Sequence, residues 1–380
     1  MAYTVKGAGI ARSSSIDQQQ GVSQACIWKK IWRNGARGFS RGDGVNLSVY
    51  NCTVKKLKIL LTGGTGFFGK ALLRKHLTSI NSADVEIAVL SRNPGQFLTT
   101  HPEFSGHESI RFCKSDIQQR DSLPWEQHFT HVLHAAIDST NGATLTPLEC
   151  YNQIVAGTRN ILDLAVATGA RRFLLTSTGA IYGPQPAELH AISEDWPGSP
   201  PLAEPTTAYG QAKRAAEHLC AVYAKQHGLD TVVARCFAFV GPDLPLFVHF
   251  AIGNLIRDAL TADLITVSGD GTPLRTYLDQ SDLAHWLFSL LEQGRSGEVY
   301  NVGSDEVISI ADLAHLVRDI LAPQKPVAIL GQADPSASRN RYVPDIVKAR
   351  QELGLNVTIP LAEAIRRTGE AHRQEATPRA

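Results

Sequence analysis

The sequence predicts an α/β fold in which a doubly wound parallel sheet is joined to a smaller C-terminal α/β lobe. An apolar run breaks into a glycine-rich turn at LKILLTGGTGFFG (57–69), and short apolar runs then alternate with helical patterns as far as Cys236. After Gly241 the pattern loosens and Pro and Gly turns become frequent. Short apolar strands alternating with helices are typical of a parallel sheet covered on both faces. Ligands of such folds bind at the carboxyl ends of the strands, where we expect the second lobe to lie.

The predicted elements follow in order along the chain. The first half has the candidate strands Lys58–Thr62, Glu86–Ser91, Ile110–Lys114, His131–Ala135, Phe173–Thr176 and Thr231–Arg235, and the candidate helices Phe68–Leu77, Tyr151–Ala167 and Ala208–Gln226. The second half has candidate helices near Ala251–Leu260, Ser281–Leu291 and Ile310–Leu321, and short strands near Ile265–Ser268 and Glu298–Val302. We therefore predict a sheet domain at 57–240, an interleaved lobe at 241–370 and a polar tail at 371–380.

Composition excludes several classes of protein. The chain has 380 residues, of which 43% are hydrophobic, and this length buries a core of useful size. A formal net charge of +1 gives no reason to expect nucleic acid as a partner. We find no stretch that approaches the roughly 20 apolar residues of a membrane span, so no membrane is expected. The six cysteines are scattered without a CxxC pair, which indicates reduced thiols in a cytoplasmic protein and no metal site.

The N-terminal segment differs from the rest of the chain. Residues 1–56 carry nine Lys/Arg and two Asp, a net charge of +7, whereas the remainder carries 28 basic and 34 acidic residues, a net charge of −6. The segment is rich in Ser, Gly and Gln, and it is predicted to be a disordered basic extension. It is either a targeting leader or an upstream extension of a chain that begins near Val54.

The motif GGTGFFG follows the first strand with a GxxGxxG spacing. Gly63 permits the tight turn off the strand, Gly66 lets the backbone approach a pyrophosphate, and Gly69 allows close packing of helix and strand. Phe67 and Phe68 lie inside the motif and are expected to border the same site. A generic glycine turn is the alternative, but the flanking strand and amphipathic helix favour a dinucleotide. The sheet domain is therefore predicted to be an NAD(P)-binding domain of the Rossmann type.

The end of the second strand favours NADP, with NAD as the alternative. An acidic residue there would bind the ribose of NAD and repel a 2′-phosphate, but this strand ends in Ser91 and Arg92. Ser91 can donate a hydrogen bond and Arg92 can pair with a phosphate, unless Arg92 is only a solvated loop residue. Asp116, followed by Ile117 after the third strand, is predicted to accept from the adenine amino group or else to cap its own loop.

Three side chains are candidates for chemistry. Tyr209 and Lys213 lie four residues apart on one helix face, and an ammonium close to a phenol lowers the tyrosine pKa. Tyr209 would then exchange a proton with a substrate hydroxyl while a hydride moves at a nicotinamide. Thr178 ends a buried strand and would hydrogen-bond the substrate oxygen, although a Thr there is often only a cap or a good strand former. A YxxxK spacing alone is weak evidence, and its value comes from following the dinucleotide turn.

GGTGFFG, the HAA triplet at 134–136, TSTGAIYG and YGQAK together resemble the extended short-chain dehydrogenase/reductase family, and more narrowly its nucleotide-sugar epimerase/dehydratase group. The similarity covers about residues 57–355. It implies that Thr178, Tyr209 and Lys213 are catalytic, and that Lys213 also holds the nicotinamide ribose. It further implies that the residues Ala135 and Ala136 border the cofactor and that Arg275 contacts the nucleotide phosphates of the substrate.

Three positions depart from the family pattern. The family often has Asn where this chain has Ile154 and Ala238, so the polar contacts of those positions are not expected here. Family 4,6-dehydratases usually need a carboxylate directly after the catalytic Thr, whereas Gly179 and Ala180 follow Thr178 here. Dehydration is therefore disfavoured.

These observations lead to a functional hypothesis with alternatives. We expect a 4-keto-sugar-nucleotide reductase that uses NADP(H) and acts at C4 of a nucleotide-linked hexose. A 4-epimerase that retains NAD is the alternative, and a non-catalytic NADP-binding sensor or scaffold is a remote one. We also expect a homodimer with Leu162, Ala165, Leu219 or Tyr223 at or near the contact, unless these residues face their own sheet.

Overall fold

The structure is a computed structural model that describes residues 56–79, 84–136, 145–248, 250–334 and 339–376. The predicted basic extension, apart from Lys56, lies outside the described residues, as does the end of the predicted tail at 377–380.

The described residues form fourteen β-strands. They are β1 (Leu57–Thr62), β2 (Val85–Ser91), β3 (Ile110–Lys114), β4 (His131–His134), β5 (Arg172–Thr178), β6 (Asp230–Cys236), β7 (Phe239–Val240), β8 (Ile265–Val267), β9 (Leu274–Arg275), β10 (Leu278–Asp279), β11 (Val299–Val302), β12 (Ile308–Ser309), β13 (Val327–Ile329) and β14 (Arg341–Tyr342).

The same residues form nine α-helices. They are α1 (Phe67–Leu77), α2 (Pro94–Thr100), α3 (Pro147–Ala167), α4 (Ala208–His227), α5 (Ala251–Thr261), α6 (Gln280–Gln293), α7 (Ile310–Leu321), α8 (Val347–Leu353) and α9 (Leu361–Ala376). None of these helices is long and apolar enough to span a membrane, as far as the described residues go.

Seven parallel strands form the central sheet in the order β3-β2-β1-β4-β5-β6-β11. The predicted α/β fold of the Rossmann type is confirmed. Strands β1 to β3 follow one another toward one edge of the sheet, and β4 to β6 follow one another toward the other edge. The strand order therefore reverses between β1 and β4, which pair from Ile59 to Thr62. This reversal opens a crevice at the carboxyl ends of the two strands, the usual ligand site of doubly wound sheets.

The seventh strand comes from the half of the chain that we predicted to be the lobe. β11 pairs with β6 in parallel, with Val299 opposite Val233 and Val302 opposite Cys236. Its residues are largely buried because they cover the otherwise open edge of β6. Helix α6 also returns to the sheet, where Trp286 is fully buried in the cluster shared with α1.

The lobe has a small core of its own. Residues of α5, α7 and α9 pack around Leu313, Ala314 and Val317, all fully buried. Helix α9, absent from the predicted elements, runs into the predicted polar tail as far as Ala376. Its apolar side covers the lobe, as Ile365 is fully buried.

Helices α3 and α4 pack together over the other face of the sheet. Leu162 and Ala165, two of the residues expected at a dimer contact, are fully buried in this cluster. Leu219 packs against the same cluster, and Tyr223 is 8% exposed with its hydroxyl donating to Asp163. Leu162 and Ala165 thus face their own sheet, the alternative that the sequence left open, and a dimer contact at or near Leu219 or Tyr223 stays a prediction.

Candidate active site

The glycine turn lies at the crevice between β1 and β4. Gly63 has a φ of +73°, a conformation that L side chains rarely adopt, and a Cβ there would lie 2.4 Å from the carbonyl oxygen of Ala135. The N–H groups of Ala135 and Ala136 donate to Thr62 Oγ1 at 3.2 and 3.1 Å. The structure thus brings together the turns that the sequence assigned to the cofactor.

The start of α1 has the form of an anion site. Gly66 is the N-cap, is exposed, and has no side chain to cover the first-turn N–H groups. The nearest atom to a Cβ built on Gly66 is Gly63 O at 3.5 Å, so the backbone face is open. At Gly69 a Cβ would lie 2.2 Å from Gly64 Cα, which requires glycine for the close turn. An open helix N-terminus of this kind fits the pyrophosphate of a dinucleotide.

The two phenylalanines of the motif serve packing in this structure. The ring of Phe68 meets that of Phe239 edge to face with centroids 5.1 Å apart. Phe67 packs against both the sheet core and the lobe core. Their contact with a cofactor therefore stays a prediction.

The residues predicted to choose the cofactor lie at the ends of β2 and β3. Ser91 is buried at the end of β2, and Arg92 follows it on the surface. Asp116 Oδ1 accepts from the N–H of Gln118 at 2.9 Å, so this carboxylate caps its own loop, one of the two predicted roles. Ile117 packs against Gly157, where a Cβ would lie 2.7 Å from its Cδ1.

The three candidate catalytic residues converge at the carboxyl end of β5. Thr178 is its last residue and accepts from the N–H of Ala180 at 3.2 Å. Tyr209 and Lys213 lie on the first turns of α4, and the Thr178 hydroxyl acts on the phenol of Tyr209. Lys213 is 1% exposed and its ammonium donates to the carbonyl oxygen of Thr176.

The protonation of this group differs from the prediction. Burial raises the pKa of Tyr209 above its ordinary value, and the Thr178 hydroxyl offsets this only in part. Burial also lowers the pKa of Lys213 to about 8. The prediction that Lys213 lowers the tyrosine pKa was wrong for this structure, since loss of hydration outweighs any nearby charge.

Sequence reasoning missed one residue of the site. Tyr342, in β14, places its hydroxyl 3.5 Å from Thr178 Oγ1, and its ring lies against Phe237 with centroids 4.6 Å apart. We call Thr178, Tyr209 and Tyr342 the hydroxyl cluster. Nothing in the local pattern around Tyr342 distinguishes it from an ordinary strand residue, so only its long-range pairing reveals it.

Arg275 stands beside Tyr342. The two residues are opposite each other in the parallel pair of β9 and β14, and the guanidinium acts electrostatically on the phenol. Nη1 of Arg275 donates to the carbonyl oxygens of Leu274 and Asn340 at 2.8 and 3.4 Å. The residue predicted to contact substrate phosphates is therefore held at the edge of the hydroxyl cluster.

A charged pair supports the cluster from the other side of β5. Ser177 points away from Thr178 and donates to Glu217, one helical turn beyond Lys213. Glu217 in turn accepts three bonds from Nε and Nη2 of Arg235, and both side chains are 13% exposed. This hydrogen-bonded ion pair fixes how α4 lies along β5, and hence the position of Lys213.

The departures from the family pattern have structural counterparts. Ile154, a residue of α3, is buried in the apolar cluster between this helix and the sheet. Where the family often has the polar amide of an Asn, this chain has an apolar side chain that packs in the core. Ala238 packs against the core of the lobe. A Cβ on Gly179 would lie 2.7 Å from the hydroxyl of Tyr342 and 2.8 Å from the ring of Phe237, so position 179 cannot hold a carboxylate without moving both rings.

A dinucleotide-type crevice with a Thr, a Tyr and a Lys at one strand end defines the class as nucleotide-dependent enzymes of the short-chain dehydrogenase type. The profile of the NAD dependent epimerase/dehydratase family matches residues 59–303, and the chain belongs to that family.

Two kinds of enzyme are similar to this chain, UDP-glucuronic acid decarboxylases in sequence and nucleotide-sugar 4-epimerases in structure. The chain is 31% identical over 314 residues to UDP-glucuronic acid decarboxylase 1 of Danio rerio, which covers 82% of this chain and 71% of that protein. It resembles the crystal structure of UDP-glucuronic acid 4-epimerase from Bacillus cereus, in complex with UDP-glucuronic acid and NAD, with a TM-score of 0.70 and 25% identity over 84% of this chain and all of that one. UDP-glucose 4-epimerase from Thermotoga maritima shares the fold, with a TM-score of 0.72 and 21% identity over the same shares.

Proposed function

We propose that this enzyme oxidises C4 of UDP-glucuronic acid with a bound nicotinamide dinucleotide and releases CO2, forming a UDP-pentose. The observation that carries the proposal is the hydroxyl cluster with a glycine at position 179. A 4-keto uronic acid is a β-keto acid and loses its carboxylate without a general base, whereas loss of water requires one. A site with three hydroxyls and no carboxylate after Thr178 suits the first reaction.

The residues of the chain have distinct parts in this proposal. Thr178 and Tyr209 bracket the C4 oxygen of the sugar, and Tyr209 accepts its proton and later returns it. Lys213 would hold the nicotinamide ribose of the cofactor beside the substrate sugar, and Arg275 would pair with the diphosphate of the substrate. When bound, NAD(P)+ supplies the hydride acceptor and a positive charge beside the phenol, which favours the phenolate. The open first turn of α1 holds the pyrophosphate.

The choice between the two cofactors is part of the proposal. The chain belongs to an NAD-dependent family, and the Bacillus cereus neighbour was solved with NAD. Ser91 and Arg92, however, stand where an acid would select NAD, so we propose that NADP binds at least as well. With either cofactor bound, oxidation and reduction at C4 would balance within one catalytic cycle, so no external reductant would be needed.

The second candidate is 4-epimerisation of the same substrate. It is supported by the structural similarity to the Bacillus cereus 4-epimerase, and it uses the same Thr178, Tyr209 and Lys213. The 4-keto sugar must then rotate in the site so that its other face meets the hydride, and it must keep its C6 carboxylate. The 4-keto-sugar reductase predicted from sequence has less support than either of these candidates, since the relatives compared above are decarboxylases and epimerases. A pure sensor is disfavoured because it has no use for the catalytic set.

Product analysis separates these candidates. The purified enzyme is incubated with UDP-glucuronic acid and catalytic NAD+ or NADP+, and CO2 release and proton NMR are followed together. A UDP-pentose with one CO2 per turnover is expected. UDP-galacturonic acid without CO2 indicates the epimerase. In a second incubation, with NADPH and a 4-keto sugar nucleotide, stoichiometric oxidation of NADPH indicates the reductase. Absence of all three products contradicts the proposed function.

Assembly and location remain predictions. We propose a homodimer through the outer side of α3, where Leu148, Tyr151 and Val166 are 69%, 37% and 36% exposed. Exposed apolar residues on one helix face are typical of an interface. A monomer mass in light scattering at micromolar concentration would contradict this. We also propose a cytoplasmic location, which subcellular fractionation tests.

A further inference from the structure

The hydroxyl of Tyr342 occupies the place that a side chain at position 179 would fill. A Cβ on Gly179 would lie 2.7 Å from Tyr342 Oη. The same hydroxyl is 3.5 Å from Thr178 Oγ1. A group from the C-terminal lobe has thus replaced the side chain that would follow the catalytic threonine.

Two separate anchors hold this hydroxyl in position. On one side β14 pairs with β9, which sets Tyr342 opposite Arg275. On the other, the next residue bonds to a loop of the sheet domain: the N–H of Val343 donates to Gln185 Oε1 at 3.0 Å, and its carbonyl accepts from the N–H of Ile192 at 2.9 Å. Main-chain bonds on both sides leave the phenol little freedom, as a positioned proton donor requires.

The chemical state of the phenol decides what it can do. Burial raises the pKa of Tyr342 to about 12, so the hydroxyl keeps its proton at neutral pH. The neutral phenol can donate this proton to a strong base. An enolate carbon is a stronger base than a phenolate, so transfer from Tyr342 to such a carbon is downhill.

The proposed reaction generates such a carbon beside Thr178. When the 4-keto acid decarboxylates, the C5–C6 bond breaks, CO2 leaves, and the electron pair becomes the C4–C5 enolate. C5 is next to C4, whose oxygen lies between Thr178 and Tyr209. The enolate must gain one proton at C5 before C4 can be reduced, and position 179 offers no side chain to give it.

We propose that Tyr342 is the catalytic acid that protonates C5 of the decarboxylated sugar. The C5 carbon takes the proton from Tyr342 Oη, and the phenolate regains one from water. The inference rests on the proposed decarboxylation and adds to it a proton donor from the lobe.

The test runs the reaction in D2O with wild type, Tyr342→Phe and the matched control Tyr182→Phe. Tyr182 belongs to the same aromatic cluster as Phe237 and Tyr342, but its hydroxyl donates to Asn301 at 2.8 Å. Wild type should give a UDP-pentose with one deuterium at C5 in a single configuration. With NAD+ in excess over the substrate, Tyr342→Phe should release CO2 at a rate near that of wild type and leave one NADH for each 4-keto pentose that is not reduced. Its UDP-pentose formation should fall about 10²–10⁴-fold, the usual cost of a lost general acid, with release of the 4-keto pentose or mixed deuterium configuration.

The control should keep the wild-type ratio of UDP-pentose to CO2 and the single configuration, even if its overall rate drops. A merely structural role for Tyr342 would lower both products together. An unchanged ratio with one configuration in Tyr342→Phe overturns the inference alone. Wild type that releases no CO2 overturns the proposed function, and the inference with it, before any variant is made.

Discussion

The two sides of the active site are specified in different ways. The glycine edge, which we define as Gly63 to Gly69 with Ala135 and Ala136, comes from turns that directly follow two neighbouring strands. The hydroxyl cluster is assembled from β5, α4 and β14, and Thr178 and Tyr342 are 164 residues apart in sequence. The glycine edge is set by backbone geometry and tolerates little change. The hydroxyl cluster depends on how the lobe docks, so it is where reaction type can diverge within one fold.

The largest effect is expected in the hydroxyl cluster. Tyr209→Phe should lower turnover of UDP-glucuronic acid by about 10²–10⁴-fold, because it removes the acid/base hydroxyl. The affinity for UDP and for the cofactor should change little, as measured by calorimetry. Tyr223→Phe, on the same helix but with its hydroxyl on Asp163, is the control and should stay fully active. Near wild-type turnover of Tyr209→Phe would remove this phenol from the mechanism.

The glycine edge should respond through folding and cofactor binding rather than through turnover alone. Gly63→Ala meets two costs, a left-handed backbone of about 1–2 kcal/mol and overlap with the Ala135 carbonyl of about 1–3 kcal/mol. We expect a loss of about 2–5 kcal/mol in the free energy of unfolding, measured by denaturant titration, with weaker cofactor binding.

Gly228→Ala separates these costs. Gly228 has a φ of +67° at the end of α4, and no atom of the described residues lies within 4 Å of its added Cβ. It should therefore show only the backbone cost of about 1–2 kcal/mol. Equal losses in the two variants would mean that the contact with Ala135 gives way easily and that the edge is less rigid than we argue.

Sequence reasoning succeeded where a signal is local. The predicted helix Ile310–Leu321 agrees with the structure at both ends, and the strand Ile110–Lys114 does as well. The apolar period and the glycine spacing are contiguous in sequence, so they fix the strand, the turn and the helix without knowledge of the remainder.

The failures concern contacts between distant segments. β11 lies in the segment predicted as an interleaved lobe, and its place in the sheet was not predicted, since an open strand edge such as that of β6 cannot be recognised from local pattern. Tyr342 was not predicted because its role depends on pairing with β9. The pKa direction of Tyr209 was wrong because the degree of burial around a side chain is a property of the assembled site.

A smaller effect distinguishes the cofactors at the end of β2, where Arg92 follows Ser91. Arg92→Ala should weaken NADPH by about 1.5–3 kcal/mol, the value of a hydrogen bond to a charged group, and leave NADH nearly unchanged. Binding is measured by fluorescence titration of both cofactors. Arg111→Ala, which removes a β3 side chain bonded to Gln127, is the control for loss of positive charge. Equal weakening of both cofactors, or a wild-type preference for NADH, would favour NAD as the working cofactor.

The smallest change in the free energy of unfolding is expected at Lys213, between the glycine edge and the hydroxyl cluster. Burial of this ammonium destabilises the folded chain. Its pKa in the folded chain is about 8, against an ordinary value of 10.5, and such a shift corresponds to a penalty on the order of 3 kcal/mol at neutral pH. Lys213→Met removes that penalty but also the donor to the Thr176 carbonyl, which is worth about 1 kcal/mol. We therefore expect the variant to be inactive but more stable by about 1–2 kcal/mol at pH 7.

The pH dependence gives the sign of this effect. Between pH 8 and 10.5 the folded wild type holds fewer protons than the unfolded chain, so its free energy of unfolding rises with pH across that interval. Lys213→Met lacks this rise, and its advantage should be full below pH 8 and shrink toward pH 10.5. Lys225→Met, on the exposed side of the same helix, controls for loss of an ammonium at the surface. A stability difference that does not change with pH would mean that the Lys213 ammonium is well solvated, and that Tyr209 and Lys213 share a wetter site than the structure describes.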